Sequence, residues 1–136
     1  MRKDQPVEHS IPFTAIHHLD LTVTDVARSQ AFYMQVLGFQ LMKEMSPAVV
    51  LRKGDVVLGL VPTQSAAGDS FVEKRVGLDH LSFEVGSRDD LEQAARAFDQ
   101  HGVPHGEIED TAELKILVLA FRDPDNIQLE LTAAYA

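Results

Sequence analysis

The sequence contains no cysteine and no tryptophan, and its basic residues are few. Without cysteine the chain cannot form disulfide bonds, thiolate metal sites or a cysteine nucleophile, so any metal ligands must be histidines or carboxylates. Twelve Lys and Arg stand against 21 Asp and Glu, which gives a formal net charge of −9. Because binding to nucleic acid or to an anionic membrane depends on positive charge, neither is expected as a partner.

Long apolar runs are also missing, since every such run falls short of the ~18 residues that a membrane-crossing helix needs. The first ten residues are charged and polar, without the apolar stretch of a signal peptide, and we therefore expect a cytoplasmic location. A length of 136 residues with 45% hydrophobic residues is typical of one globular domain. We expect a mobile tail over residues 1–10 and a single domain over 11–136.

Hydrophobic periodicity divides the chain into two copies of one β-α-β-β-β pattern. A strand over Ile16–Val23 precedes a helix that Asp25 caps, and a strand over Asp79–Val85 precedes a helix that begins at Ser87 and ends at Gly102. Three strands are predicted after each helix, at Phe39–Glu44, Ala48–Arg52 and Val56–Val61 in the first copy and at Val103–Ile108, Leu114–Phe121 and Ile127–Leu131 in the second.

This repeat predicts an α+β fold built from two βαβββ modules, whose curved mixed sheets surround a cleft. Module 1 is expected over about 14–62 and module 2 over about 78–133. Residues 63–77 are small and polar with little periodicity, and they are interpreted as a connector between the modules.

Three polar side chains lie on the first or last predicted strand of the two copies. His18 and His80 begin equivalent strands, and aligning the last strands, DVVLGL and NIQLEL, sets Gly59 opposite Glu130. Two imidazoles and one carboxylate form a facial arrangement that suits Fe, Mn, Zn, Ni or Co and leaves positions open for substrate. The alternative interpretation is that each histidine is a hydrogen-bonded surface or core residue, as we expect for the other four histidines.

Three segments resemble the vicinal oxygen chelate superfamily, which includes glyoxalases, bleomycin resistance proteins and dioxygenases. They are HLDLTVTDVARSQAFYMQVLGF (18–39), GLDHLSFEV (77–85) and FRDPDNIQLEL (121–131), and the resemblance extends over residues 16–132. It implies paired βαβββ modules with metal ligands on first and last strands. These ligands correspond to His18, His80 and Glu130 in this chain.

Departures from the family patterns bear on the reaction. Gly59 stands where typical glyoxalase I enzymes carry a fourth, carboxylate ligand, which weakens an assignment as lactoylglutathione lyase. Ala120 stands where extradiol dioxygenases place a tyrosine, and Asp20 stands where fosfomycin transferases carry a hydroxyl residue. Bleomycin-binding proteins lack the metal ligands. The choice between lyase, isomerase, transferase and oxygenase therefore stays open.

We predict a divalent-metal-dependent enzyme that acts on a small substrate whose two adjacent oxygens chelate the metal. Asp20 and Glu84 are the candidates for accepting a proton or orienting a ligand histidine. The expected cleft walls are Thr22, Val57, Ser82 and Gln128. The alternative is a small-molecule binding or sequestration protein of the antibiotic-resistance type, which uses the same cleft without turnover.

Short members of the family commonly build the cleft between two chains. The resemblance therefore implies a homodimer in which one chain supplies the first-module ligand and its partner supplies the second-module ligands. A site formed within one chain is the alternative.

Overall fold

The computed structural model describes residues 10–65 and 68–135. Most of the predicted tail, residues 1–9, lies outside the described residues. The described part folds into two successive βαβββ units. In chain order the elements are β1 (Leu19–Val23), α1 (Val26–Gln35), β2 (Gln40–Glu44), β3 (Val49–Lys53), β4 (Val56–Pro62), β5 (Leu81–Val85), α2 (Arg88–His101), β6 (Glu109–Thr111), β7 (Ile116–Arg122) and β8 (Gln128–Ala134). Neither α1 nor α2 is long and apolar enough to cross a membrane, and no other helix occurs in these ranges.

Each unit forms its own four-stranded sheet, with the strand orders β1-β4-β3-β2 and β5-β8-β7-β6. The first and last strands of a unit pair in parallel, and the remaining neighbours pair antiparallel. Leu19 pairs with Leu58 in the first sheet, and Leu81 pairs with Leu129 at the same place in the second. The predicted α+β fold and its internal repeat are therefore confirmed.

The helices pack on one face of each sheet, and the opposite face, called the polar face below, carries the polar site residues together with some apolar ones such as Val57. Leu58 in β4 and Leu129 in β8 are fully buried on the helix side, as are Tyr33 in α1 and Leu91 in α2. Because side chains alternate along a strand, the residues before and after these leucines face the other way. That alternation places the predicted site residues on the polar faces.

Both helices begin where the sequence predicts. The Asp25 carboxylate accepts a hydrogen bond from the Arg28 backbone N–H at 3.1 Å, and Ser87 Oγ accepts one from Asp90 N–H at 3.3 Å. Gly102 ends α2 in the left-handed region at φ 68°, where a residue without Cβ is unstrained.

The turn between β7 and β8 joins the second unit to the first. Tyr33 Oη donates to Asp123 Oδ2 at 2.7 Å, and burial raises the pKa of the Asp123 carboxyl. Asp125 accepts hydrogen bonds from the Thr24 backbone N–H and from Arg28, each at 3.0 Å. These contacts fix the relative position of the two units.

One predicted strand is wrong. Within Val103–Ile108 only an isolated bridge forms, between His105 and Phe121, and the paired strand β6 begins at Glu109. Pro104 has no N–H to donate, and Gly106 further weakens a strand, so this segment does not make a continuous ladder.

Other strands also begin later than predicted, and two of these shifts concern the strands of the candidate ligand histidines. β1 starts at Leu19 rather than Ile16, and β5 starts at Leu81 rather than Asp79. His18 and His80 therefore each lie one residue before the paired part of their strand. They occupy equivalent places in the two units, as the sequence alignment of the copies requires.

Candidate functional site

The polar face of the second sheet brings two of the three predicted ligands together. His80 Nε2 lies 3.3 Å from Glu130 Oε1, and both side chains keep some exposure, 41% and 19% respectively. Two donors that bind one cation at about 2.1 Å are separated by about 3 Å when the angle at the cation is near 90°. The spacing of this pair therefore suits a shared divalent cation.

Asp79 sets the orientation of the His80 ring. His80 Nδ1 lies 2.7 Å from Asp79 Oδ1, and a carboxylate can only accept, so Nδ1 carries the proton. In the neutral ring, Nε2 on the side of Glu130 then has a lone pair that can bind a cation. A ligand histidine held by a carboxylate through its other nitrogen is the usual arrangement at metal sites.

A chain of polar contacts extends from Asp79 to the connector. Gln128 Nε2 donates to Asp79 Oδ1 at 3.0 Å, and Arg122 donates to Gln128 Oε1 at 3.1 Å. Arg122 also binds both oxygens of Glu73, at 2.8 and 3.0 Å. The Arg122 guanidinium lowers the pKa of Glu73 to about 2. Gln128, predicted to line a cleft wall, thus also supports Asp79.

The equivalent place in the first unit is built differently. His18 is exposed, and its Nδ1 lies 2.9 Å from Nδ1 of His17. Asp20 pairs in register with Gly59, and its carboxylate lies directly over that glycine. A Cβ placed on Gly59 would approach Asp20 Cγ to 2.9 Å and its Oδ1 more closely still.

Within one chain the three predicted ligands do not converge. No group of three His, Asp or Glu side chains in residues 10–65 and 68–135 is placed to hold a metal ion. His18 therefore does not complete the His80–Glu130 pair in the same chain. The single-chain alternative for the site is not formed in this structure.

The remaining predicted residues lie on the expected strands but not in one cavity. Thr22 borders a cavity of about 270 Å³ beside Thr24 and Asp125. Glu84 borders a second, mostly apolar cavity of about 410 Å³ between the units, near Phe39. None of the three predicted ligands lines either cavity. Ser82 Oγ forms a hydrogen bond with Thr132 Oγ1, and Val57 is half-buried in β4.

Sequence reasoning missed Asp79 and Glu73. Asp79 precedes a candidate ligand histidine, and that adjacency is a signal that a carboxylate could orient the ring. Glu73 carries no such signal, because its contact with Arg122 joins positions that are distant in sequence and depends on the path of the connector.

A sequence model of the Glyoxalase/Bleomycin resistance protein/Dioxygenase superfamily matches residues 15–131. The protein YaeR of Escherichia coli (strain K12) is 32% identical over 123 residues, which are 85% of this chain and 93% of YaeR.

Two solved structures have a fold similar to that of this chain. A glyoxylase/bleomycin resistance protein/dioxygenase domain from Frankia sp. EAN1pec is 28% identical, with a TM-score of 0.79 over 90% of this chain and 93% of that one. The fosfomycin resistance protein FosX of Listeria monocytogenes, in a complex with Mn(II) and sulfate, is 19% identical. Its TM-score is 0.73, with 90% of this chain and 92% of that chain covered. At that identity the likeness concerns the fold.

Proposed function

Because the chain belongs to the glyoxalase/bleomycin resistance protein/dioxygenase superfamily, we propose that it is a divalent-metal-dependent enzyme acting on a small substrate with two adjacent oxygens. The observation that carries this proposal is the His80–Glu130 pair, in which Nε2 of His80 lies 3.3 Å from a carboxylate oxygen. The donor set fits Fe, Mn, Zn, Ni or Co. The Mn(II) complex of FosX makes Mn(II) the first ion to test. The cytoplasmic location expected from the sequence stays a prediction.

We propose that a homodimer completes the site, with His18 of one chain joining His80 and Glu130 of its partner. The segment leading into β1 supports this arrangement, because its apolar side chains are unusually exposed. Ile11 and Phe13 are each 81% exposed, and Ile16 is 88% exposed. Apolar side chains grouped in this way mark an interaction surface. A second copy that covers the segment would also meet the adjacent His18.

The roles of the remaining residues follow from their positions. When bound, a divalent cation supplies positive charge that stabilises negative charge on two adjacent substrate oxygens. Asp79 holds the His80 ring in place, and Gln128 holds Asp79. Asp20 and Glu84 are the proposed proton acceptors, since both lie on the polar faces. Thr22, Val57, Ser82 and Gln128 are proposed to contact the substrate.

Metal binding tests the proposal directly. Chelator-treated protein titrated with Mn(II) in a calorimeter should bind one ion per chain. His80→Ala should lose this binding, whereas the matched control His101→Ala, on the exposed end of α2, should retain it. Equal binding by the wild type and His80→Ala, or no stoichiometric binding by the wild type, would overturn the proposal.

Mixing two defective chains tests the shared site. His18→Ala and Glu130→Ala homodimers should each bind Mn(II) weakly. Heterodimers refolded from equal amounts of the two chains should recover one intact site. One of their two sites contains both substitutions, and the other contains neither. No recovery in a verified heterodimer would contradict a site built from two chains.

Turnover separates the enzyme from the sequestration protein. Metal-loaded protein should convert one member of a panel of hydroxy-ketones, diols and epoxide phosphonates, and the conversion should be lost in Glu130→Ala. Tight binding of a panel member without conversion, unchanged by Glu130→Ala and by chelator, would instead establish the binding protein.

A further inference from the structure

In each unit the first and last strands pair in parallel, and at one register step one of the two strands carries a carboxylate. It is the first strand in module 1 and the last strand in module 2. Asp20 pairs with Gly59 in the parallel β1–β4 ladder, and Ser82 pairs with Glu130 in the parallel β5–β8 ladder. Both pairs lie one register step after the equivalent leucine pairs. Each unit therefore carries one carboxylate at this step, on the first strand in module 1 and on the last strand in module 2.

The absence of a side chain at Gly59 leaves room for the Asp20 carboxylate in its present position. A Cβ at position 59 would lie 2.9 Å from Asp20 Cγ, closer than real Cβ atoms approach a neighbour. The Asp20 carboxylate thus occupies the space from which a side chain at position 59 would project. In module 2 the residue equivalent to Asp20 is the short Ser82, whose hydroxyl bonds Thr132 and leaves that space to Glu130.

A carboxylate on β1 instead of β4 lies two residues after His18, a candidate metal ligand. Residues two apart on a strand share a face and are about 7 Å apart along it. An imidazole and a carboxylate at that spacing can reach inward to one point. His18 and Asp20 in module 1 therefore hold register positions that correspond to those of His80 and Glu130 in module 2, with the acid on the first strand instead of the last.

We infer that Asp20 supplies the carboxylate of module 1 to the metal site, from β1 in place of β4, and completes a donor set of two histidines and two carboxylates. This inference rests on the proposed function, in which His18 of one chain meets His80 and Glu130 of its partner. In this arrangement Asp20 binds the cation with His18 instead of accepting a proton, and Glu84 remains the candidate proton acceptor.

Mn(II) affinity of the whole protein tests the inference without an activity assay. Asp20→Asn keeps the shape of the side chain and removes its charge, and it should weaken Mn(II) binding at least about 10-fold, the smaller end of the effect seen even for residues that only support ligands. Asp55→Asn, the same change in the exposed turn between β3 and β4, should leave the affinity unchanged. The Mn(II) electron paramagnetic resonance spectrum should change in Asp20→Asn alone.

A strand exchange distinguishes a donor from a residue needed only for packing. In Gly59→Glu alone, the exposed Asp20 carboxylate must turn away from the new Cβ, so the two acids compete for one space. The double variant Asp20→Ser with Gly59→Glu copies the Ser82–Glu130 pair, and it should recover Mn(II) affinity lost in Asp20→Ser alone.

The outcomes separate this inference from the proposed function. If the wild type binds Mn(II), His80→Ala does not, and Asp20→Asn binds as tightly as Asp55→Asn, then the role of Asp20 is overturned and the metal site stands. A folded double variant with no recovered affinity would likewise overturn it. If the wild type binds no Mn(II), both proposals fail.

Discussion

The two modules share one backbone plan, yet only the second contains a preassembled pair of candidate ligands. In module 2 the His80 ring is held by Asp79 and lies 3.3 Å from Glu130. In module 1 the exposed His18 contacts His17, and no carboxylate stands on the last strand at Gly59. A repeated ladder thus fixes where a side chain can project, while the residue at each step decides what the site can bind.

The cores of the two modules should respond equally to the same change, and this is the largest effect we expect. Leu58→Ala and Leu129→Ala each empty a fully buried, equivalent position, so each should lower the free energy of unfolding by about 3–5 kcal/mol. Urea denaturation measures both. Leu114→Ala, at a side chain that is 69% exposed, is the matched control and should change little. A large difference between Leu58→Ala and Leu129→Ala would show that the two cores are not equivalent.

The support of the ligand histidines should differ between the modules. Asp79→Ala removes the carboxylate that orients His80, and Mn(II) affinity should fall about 10–100-fold. His17→Ala removes the equivalent neighbour of His18 and should weaken Mn(II) binding less, because a neutral imidazole orients a ring less strongly than a carboxylate does. Calorimetric titration of both variants checks this, and equal losses would contradict the asymmetry.

The helix starts should again behave alike. Asp25→Ala and Ser87→Ala each remove a side chain that accepts a backbone N–H in the first turn, and each should cost about 1 kcal/mol of stability. Asp25→Asn preserves an acceptor and serves as the control. Thermal or urea denaturation gives the values. No loss in either variant would mean that tertiary packing alone sets the helix start.

The smallest expected effect concerns the Glu73–Arg122 pair beside module 2. The folded-state pKa of Glu73 lies near 2, below its ordinary value of 4.5. The stabilisation by this pair is therefore present above about pH 4.5 and is lost as the pH falls towards 2. Glu73→Gln should be less stable than the wild type at pH 7, and the difference should shrink as the pH falls towards 2.

Denaturation midpoints at several pH values measure this difference. Glu92→Gln is the control, because Glu92 meets Arg88 in an exposed pair on α2 at 3.4 Å. Its effect should be weaker, since exposed pairs within a helix contribute little. A gap between the wild type and Glu73→Gln that persisted at pH 2 would contradict the pairing.

Local features of the fold were predictable because neighbouring residues determine them. Asp25, Ser87 and Gly102 bound the helices as expected, since capping depends on contacts within one turn. The strand predicted over Val103–Ile108 does not form, and Pro104 in the sequence already argued against it because proline has no N–H to donate. The hydrogen bond of the buried Tyr33 to Asp123 could not be predicted, because it joins residues that are distant along the chain.

The sequence by itself determined the repeat, the alternation of its strands and the polar faces on which His18, His80 and Glu130 lie. These follow from periods of 2 and 3.6 residues, which the chain carries locally. Only the tertiary structure decided that His80 meets Glu130 while His18 does not, and that Asp20 covers Gly59. Strand pairing joins residues that are distant along the chain, and no local pattern encodes how one sheet faces another.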